Sequence, residues 1–130
     1  MAESTLNLDL ISNPQIFIEI HNTKKLFVNL FTDLANELEN EYLTSIYKAS
    51  KGVKVSQGNE LAKCPYQVLD IFRNFDKDNG HNIRILNWWG HGLFVFVYFG
   101  KELALDNIAQ GFSPFIKEGY ILAKGKSPWD

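Results

Sequence analysis

The chain has 130 residues, 45% of them apolar and 22% charged, with a formal net charge of −2 and a sequence pI of about 5.9. That length favours one domain, 1–130, whose core needs no disulfide or metal to fold, and that balance excludes a disordered chain. Positive charge is densest at Lys48, Lys51 and Lys54, too thin for a phosphate-tracking surface, which argues against nucleic acid as a partner.

The opening MAESTLNLDLISNP lacks the basic and long apolar regions of a signal peptide. No window reaches the about 18 apolar residues of a membrane span. The single cysteine, Cys64, cannot form an internal disulfide. A cytoplasmic protein in a reducing compartment, with no membrane partner, is the expectation.

Residues 1–12 read as an irregular lead-in, and 13–47 as a helical segment. Ser12 is a candidate cap, Pro14 suits a first turn, and Gln15 sits at the reciprocal position of a capping box. Ile16, Phe17 and Ile20 share a helical face, while the alternation Ile16, Ile18, Ile20 fits a strand, so 13–21 stays open between the two. His21-Asn22-Thr23 reads as a joint before the clearest helix. There Phe27, Leu30, Phe31, Leu34 and Leu38 recur at three- and four-residue spacing, with Tyr42 and Ile46 extending the stripe. Lys24 and Lys25 at its start, and Glu37, Glu39 and Glu41 toward its end, oppose the helix dipole. A single helix from residue 13 is the alternative, and it puts the lysines mid-helix.

After Gly52 the period changes, and 52–124 reads as a sheet region. Val53 and Val55 begin a short strand ending at Gly58. Tyr66 to Phe72 is a second strand, and Asp76 to Gly80 a polar turn. The segment HNIRILNWWGHGLFVFVYFGK then supplies two strands joined at Gly90-His91-Gly92, with glycines suited to positive-φ positions. Leu93, Val95, Val97 and Phe99 face one side, and Phe94, Phe96 and Tyr98 the other. A strand apolar on both faces is expected in the middle of a sheet. Short helical turns are expected over 101–118 and a last strand over 119–124. Helices first and strands after predict an α+β fold, with the N-terminal helices packed on a mainly antiparallel sheet.

The run GVKVSQGNELAKCPYQVLDIFRNF followed by RILNWWG carries Gly58, Pro65, Tyr66, Leu69, Asp70, Arg73, Phe75, Arg84, Trp88, Trp89 and Gly90. In these residues the chain resembles an uncharacterised family of small bacterial proteins marked by a glycine, P-Y-x-x-L-D, an aromatic pair and a glycine. The resemblance covers about a third of the chain and leaves out the N-terminal helices. It implies a shared fold. It carries no activity, so it assigns no catalytic residue.

Four constellations bear on chemistry. His81 and His91 with Cys64, Asp76 or Asp78 offer zinc ligands, but no C-x-x-C or H-x-x-x-H spacing enforces a site, so neither a metal nor another cofactor is expected. Cys64 with His81 or His91 as base would make a nucleophile, yet Ala62, Lys63 and Pro65 match no nucleophile signature; a small part-buried thiol is the simpler reading. Asp70 shares a strand face with Tyr66 and Val68, and a carboxylate there needs an arginine, Arg73 or Arg84. Such a pair either holds the sheet together or lines a pocket, with the second arginine binding an anion. Trp88 and Trp89 must point to opposite faces, one into the core and one as a platform beside His91. No G-x-S-x-G, phosphate loop, dinucleotide fingerprint or H-E-x-x-H is present.

The function expected is therefore a non-catalytic module that binds a small anionic ligand or a protein partner through Tyr66, Asp70, Arg73, Arg84, Trp88 and His91. A small hydrolase-like enzyme, with Asp70 or a histidine as acid/base and an arginine as anion clamp, is the first alternative. A homodimeric interaction protein is the second.

Overall fold

A computed structural model of the chain describes residues 5–102. The helices α1 (Leu8–Ile11), α2 (Pro14–Glu37) and α3 (Asn40–Ile46) precede the strands β1 (Lys54–Leu61), β2 (Cys64–Asn74), β3 (His81–Trp88) and β4 (Gly92–Phe99). The strands form one antiparallel sheet in the order β1-β2-β3-β4, each pairing with its neighbour in sequence. The arrangement is α+β, as the order of elements predicts. The strand expected over 119–124 and, beyond Glu102, the turns expected over 101–118 lie outside the described residues. Among the described residues no helix is long and apolar enough to cross a membrane.

The helical segment departs from expectation in three ways. Residues 8–11, expected to be irregular, make one helical turn because the Asn7 side chain accepts the Leu10 N–H. The cap of α2 is Asn13 rather than Ser12: its Oδ1 accepts from the N–H groups of Gln15 (3.1 Å) and Ile16 (3.3 Å), with Pro14 in the first turn. No joint occurs at His21-Asn22-Thr23. Residues 15–37 hold neither Gly nor Pro, and an unbroken ladder keeps paired the backbone groups that a joint would strand. Lys24 and Lys25 thus fall mid-helix, away from the dipole ends, and Lys24 Nζ donates to Asn59 Oδ1 of β1 at 3.3 Å.

Helix α2 packs against β1 and β2. Phe31 is buried, with Phe27 edge-on to it at 6.0 Å. Leu30 and Leu34, which the spacing places in the core stripe, are exposed, as are Tyr42 and Ile46; Leu43 is the buried residue of α3. Among the described residues the stripe is covered only in part.

Strand β2 is the centre of the sheet, with Gln67, Val68, Leu69 and Asp70 all buried. β1 runs past its expected end at Gly58 to Leu61, through an irregularity in its pairing with β2. Gly58 lies opposite Tyr66, and a Cβ there would sit 2.6 Å from the Tyr66 hydroxyl, so only glycine lets that ring cross the strand. A second irregularity, between Ile71 and Asn74, contains Phe72 at φ 56°. β4, expected in the middle of the sheet, is an edge strand among the described residues. Its first half is exposed on both faces: Leu93 62%, Phe94 37%, Val95 43% and Phe96 46%. Apolar composition describes a strand's faces; its position in the sheet depends on which backbone pairs with it.

Candidate functional site

The pairing register decides which side chains meet. Tyr66 lies opposite Trp88, Val68 opposite Leu86, and Asp70 opposite Arg84. Directly opposed residues share a face, and so do residues two apart along a strand. Tyr66, Asp70, Arg84 and Trp88 therefore line one face of the sheet, continued onto β4 by Phe94 opposite Leu86 and Phe96 opposite Arg84. His91, in the β3–β4 hairpin loop, stacks on Trp88 with ring centroids 3.6 Å apart and planes at 17°. Gly90 (φ 82°) and Gly92 (φ 126°) take the positive-φ backbone of that turn.

Arg73 is set apart from the other five. The irregularity at Phe72 turns it toward the α3–β1 connection, where Nε donates to Gly52 O (3.1 Å) and Nη2 to Lys51 O (3.0 Å). The partner of Asp70 is Arg84. Arg84 Nε reaches Asp70 Oδ1 at 2.8 Å and Nη2 reaches Oδ2 at 3.2 Å, a two-pronged ion pair. Asn82 Nδ2 adds a third donor to Asp70 Oδ1 at 3.2 Å, and Phe75 lies against the guanidinium, its centroid 5.7 Å from Cζ.

The five residues form two groups. Arg84 and Trp88 are four residues apart along β3, about 13 Å, with the buried Val68–Leu86 pair between them. One group is the closed ion pair. The other is an aromatic platform: Trp88 and His91 stacked, Phe94 6.1 Å from Trp88, and Phe96 6.1 Å from Phe94. Trp88 Nε1 donates to Leu61 O at 2.8 Å, which fixes the indole against the end of β1.

The tryptophans do part as the alternation requires. Trp89 Nε1 donates to Gln67 Oε1 (2.9 Å), which also accepts from Asn87 Nδ2 (2.9 Å). Gln67 is fully buried, and its Nε2 has no partner among the described residues. This amide group was not foreseen, because nothing short of the register places Gln67 opposite Asn87.

His81 and His91 stand at opposite ends of β3, seven residues or about 23 Å of strand apart from His81 to Trp88. They share no site, and among the described residues no cluster of three or more His, Cys, Asp or Glu is placed to hold a metal ion. Cys64 lies near the hairpin loop, since a Cβ on Gly90 would meet its Sγ at 3.4 Å. His81 sits at the far end, between the rings of Phe72 (5.0 Å) and Phe99 (4.7 Å), with Tyr47 edge-on at 5.5 Å. Its Nδ1–H donates to Tyr98 O at 2.8 Å, since a carbonyl can only accept. Burial among these rings pushes its pKa below the ordinary imidazole value, against the smaller upward pull of that hydrogen bond. Nearby, Asp76 accepts the N–H groups of Asn79 (2.7 Å) and Asp78 (3.1 Å), which hold its carboxyl below the usual range. Tyr47 and Tyr98 are pushed up, first by burial and next by the Asp76 charge.

The chain matches no family model, no curated protein and no solved structure.

Proposed function

We propose that the chain is a non-catalytic binding module that docks an apolar segment of a protein partner on the platform of Trp88, His91, Phe94 and Phe96. The observation that carries this reading is the Trp88–His91 stack continuing into exposed Phe94 and Phe96. Contiguous exposed aromatic surface is the usual signature of a contact site. A small anionic ligand fits less well, because both arginines are engaged: Arg84 with Asp70, and Arg73 with the carbonyls of Lys51 and Gly52. The hydrolase-like alternative fares similarly, since the Asp70 carboxylate already accepts from Arg84 and Asn82.

The test is selection of displayed random peptides on the purified chain. Apolar, aromatic-rich binders are expected, and Trp88→Ala or Phe96→Ala should weaken them about tenfold or more. Binders indifferent to both substitutions, or an enrichment of acidic and phosphorylated peptides only, would overturn the reading.

A further inference from the structure

The strand bearing the exposed part of this platform is complementary to itself. Read outward from Val95, the residues on either side match: Phe94 with Phe96, then Leu93 with Val97. From Gly92 to Gly100 there is no charged residue and no proline. Edge strands are ordinarily protected by charges, prolines or bulges that keep another strand from adding. β4 pairs with β3 without interruption from Trp88↔Gly92 to His81↔Phe99, and no strand lies on its other side among the described residues. Alternate N–H and C=O groups of an antiparallel edge strand point away from its neighbour, ready for a further partner.

We propose that this partner is a second copy of the chain, paired β4 to β4 in antiparallel fashion about a twofold axis at Val95. The proposal rests on the platform's being a protein-binding surface, and it names the occupant. Three features of the strand favour a second copy. The twofold sets Val95 against Val95 and each Phe94 against the Phe96 of the other copy, so two cross-strand aromatic pairs form. They extend the Trp88–Phe94–Phe96 ladder across the axis on one face, while Leu93 and Val95 do the same on the other. And the absence of charge between Gly92 and Gly100 means that an isologous contact, which must oppose each group to its own copy or its symmetry mate, meets no like-charge repulsion. Exposure agrees with this axis: the four most exposed residues of the strand beyond Gly92, Leu93 to Phe96, bracket the centre. Four side chains a copy fall short of the about 800 Å² per partner of a standard interface, so main-chain hydrogen bonds carry much of the contact and the dimer is a weak one.

The experiment is sedimentation equilibrium of the full chain up to about 1 mM, on the natural sequence and on Val95→Lys and Val95→Glu variants. The natural chain should show a monomer–dimer equilibrium. Each variant alone should weaken it about tenfold or more, because like charges then face each other across the axis. The two variants mixed should recover a heterodimer, with Lys opposite Glu. Circular dichroism checks that the variants fold; Val95 is exposed enough to accept either side chain. A companion cross-link places the axis. In a Cys64→Ser background, Val95→Cys should give a disulfide-linked dimer on mild oxidation, and Gln57→Cys on the β1 edge should not. A chain that is monomeric throughout, variants that dimerise as the natural chain does, or no recovery on mixing would overturn the proposal. The peptide selection judges the wider binding reading separately, because it asks whether Trp88 and Phe96 bind any segment at all.

Discussion

β1 and β4 are both edge strands of the described sheet, and they are built from opposite material. β1 carries Lys54 and Glu60, loses its regular pairing between Gly58 and Leu61, has α2 packed against it, and is tied to that helix through Asn59 and Lys24. β4 carries no charge, keeps its register throughout, and exposes Leu93 to Phe96. Only its far end is partly covered, where Phe99 stacks on His81 and Gly100 N–H donates to Gly80 O at 2.7 Å. One edge has the devices that discourage strand addition and the other lacks them. Where a sheet leaves such a contrast, the unprotected edge is where to look for a partner.

The largest expected effect breaks what the two edges share. Asp70 on β2 and Arg84 on β3 join the half of the sheet holding β1 to the half holding β4. Asp70→Ala would leave the guanidinium and the Asn82 amide with an acceptor removed in a largely buried site, and should cost about 3 kcal/mol. The denaturant midpoint should fall while the slope of the transition stays as it was; an unchanged midpoint would show that the ion pair does not couple the halves. Next comes the protected edge. Gly58→Ala puts a methyl group against the Tyr66 ring, so about 1–3 kcal/mol of overpacking is expected. The double variant with Tyr66→Ala should recover part of it, and a purely additive result would place the strain elsewhere.

The half-buried end of β4 is tested by pH. The folded-state pKa of His81 lies below its ordinary value of 6.5, so in that window the unfolded chain binds the extra proton. The His81 contribution to stability is complete above about pH 6.5 and is lost as pH falls toward the folded value. His81→Gln should flatten this part of the stability profile relative to the natural chain. A profile just as steep in the variant would assign the acid sensitivity to other groups. The smallest effect concerns the tie between β1 and α2. Asn59→Ala removes an exposed hydrogen bond to Lys24 and should change stability by no more than about 0.5 kcal/mol. Hydrogen exchange at β1 sharpens the contrast: if protection there collapses in this variant, the side-chain tie and not helix packing guards that edge.

Local patterns were legible where the physics is local. The switch from helical spacing through Phe27 and Phe31 to two-residue alternation after Val53 marks where helices end and strands begin, because each side chain's direction follows from its own backbone. The same alternation parts Trp88 from Trp89, and puts Tyr66 and Asp70 on one face before any pairing is known. It also shows that Asp70 needs an arginine, since a buried carboxylate must be paired. It does not say which. Arg84 meets Asp70 because the register brings them directly opposite, whereas Arg73, three residues along the same strand, is turned away by the irregularity at Phe72. Gln67, Asn87 and Trp89 become one buried group for the same reason. Whether His21-Asn22-Thr23 bends depends on what α2 packs against, and the place of β4 at an edge of the described sheet on which backbone lies beside it. Periodicity and charge need belong to single segments and can be read along the chain. Register, strand order and the cover over each face belong to pairs of segments far apart in sequence, and only the folded arrangement supplies them.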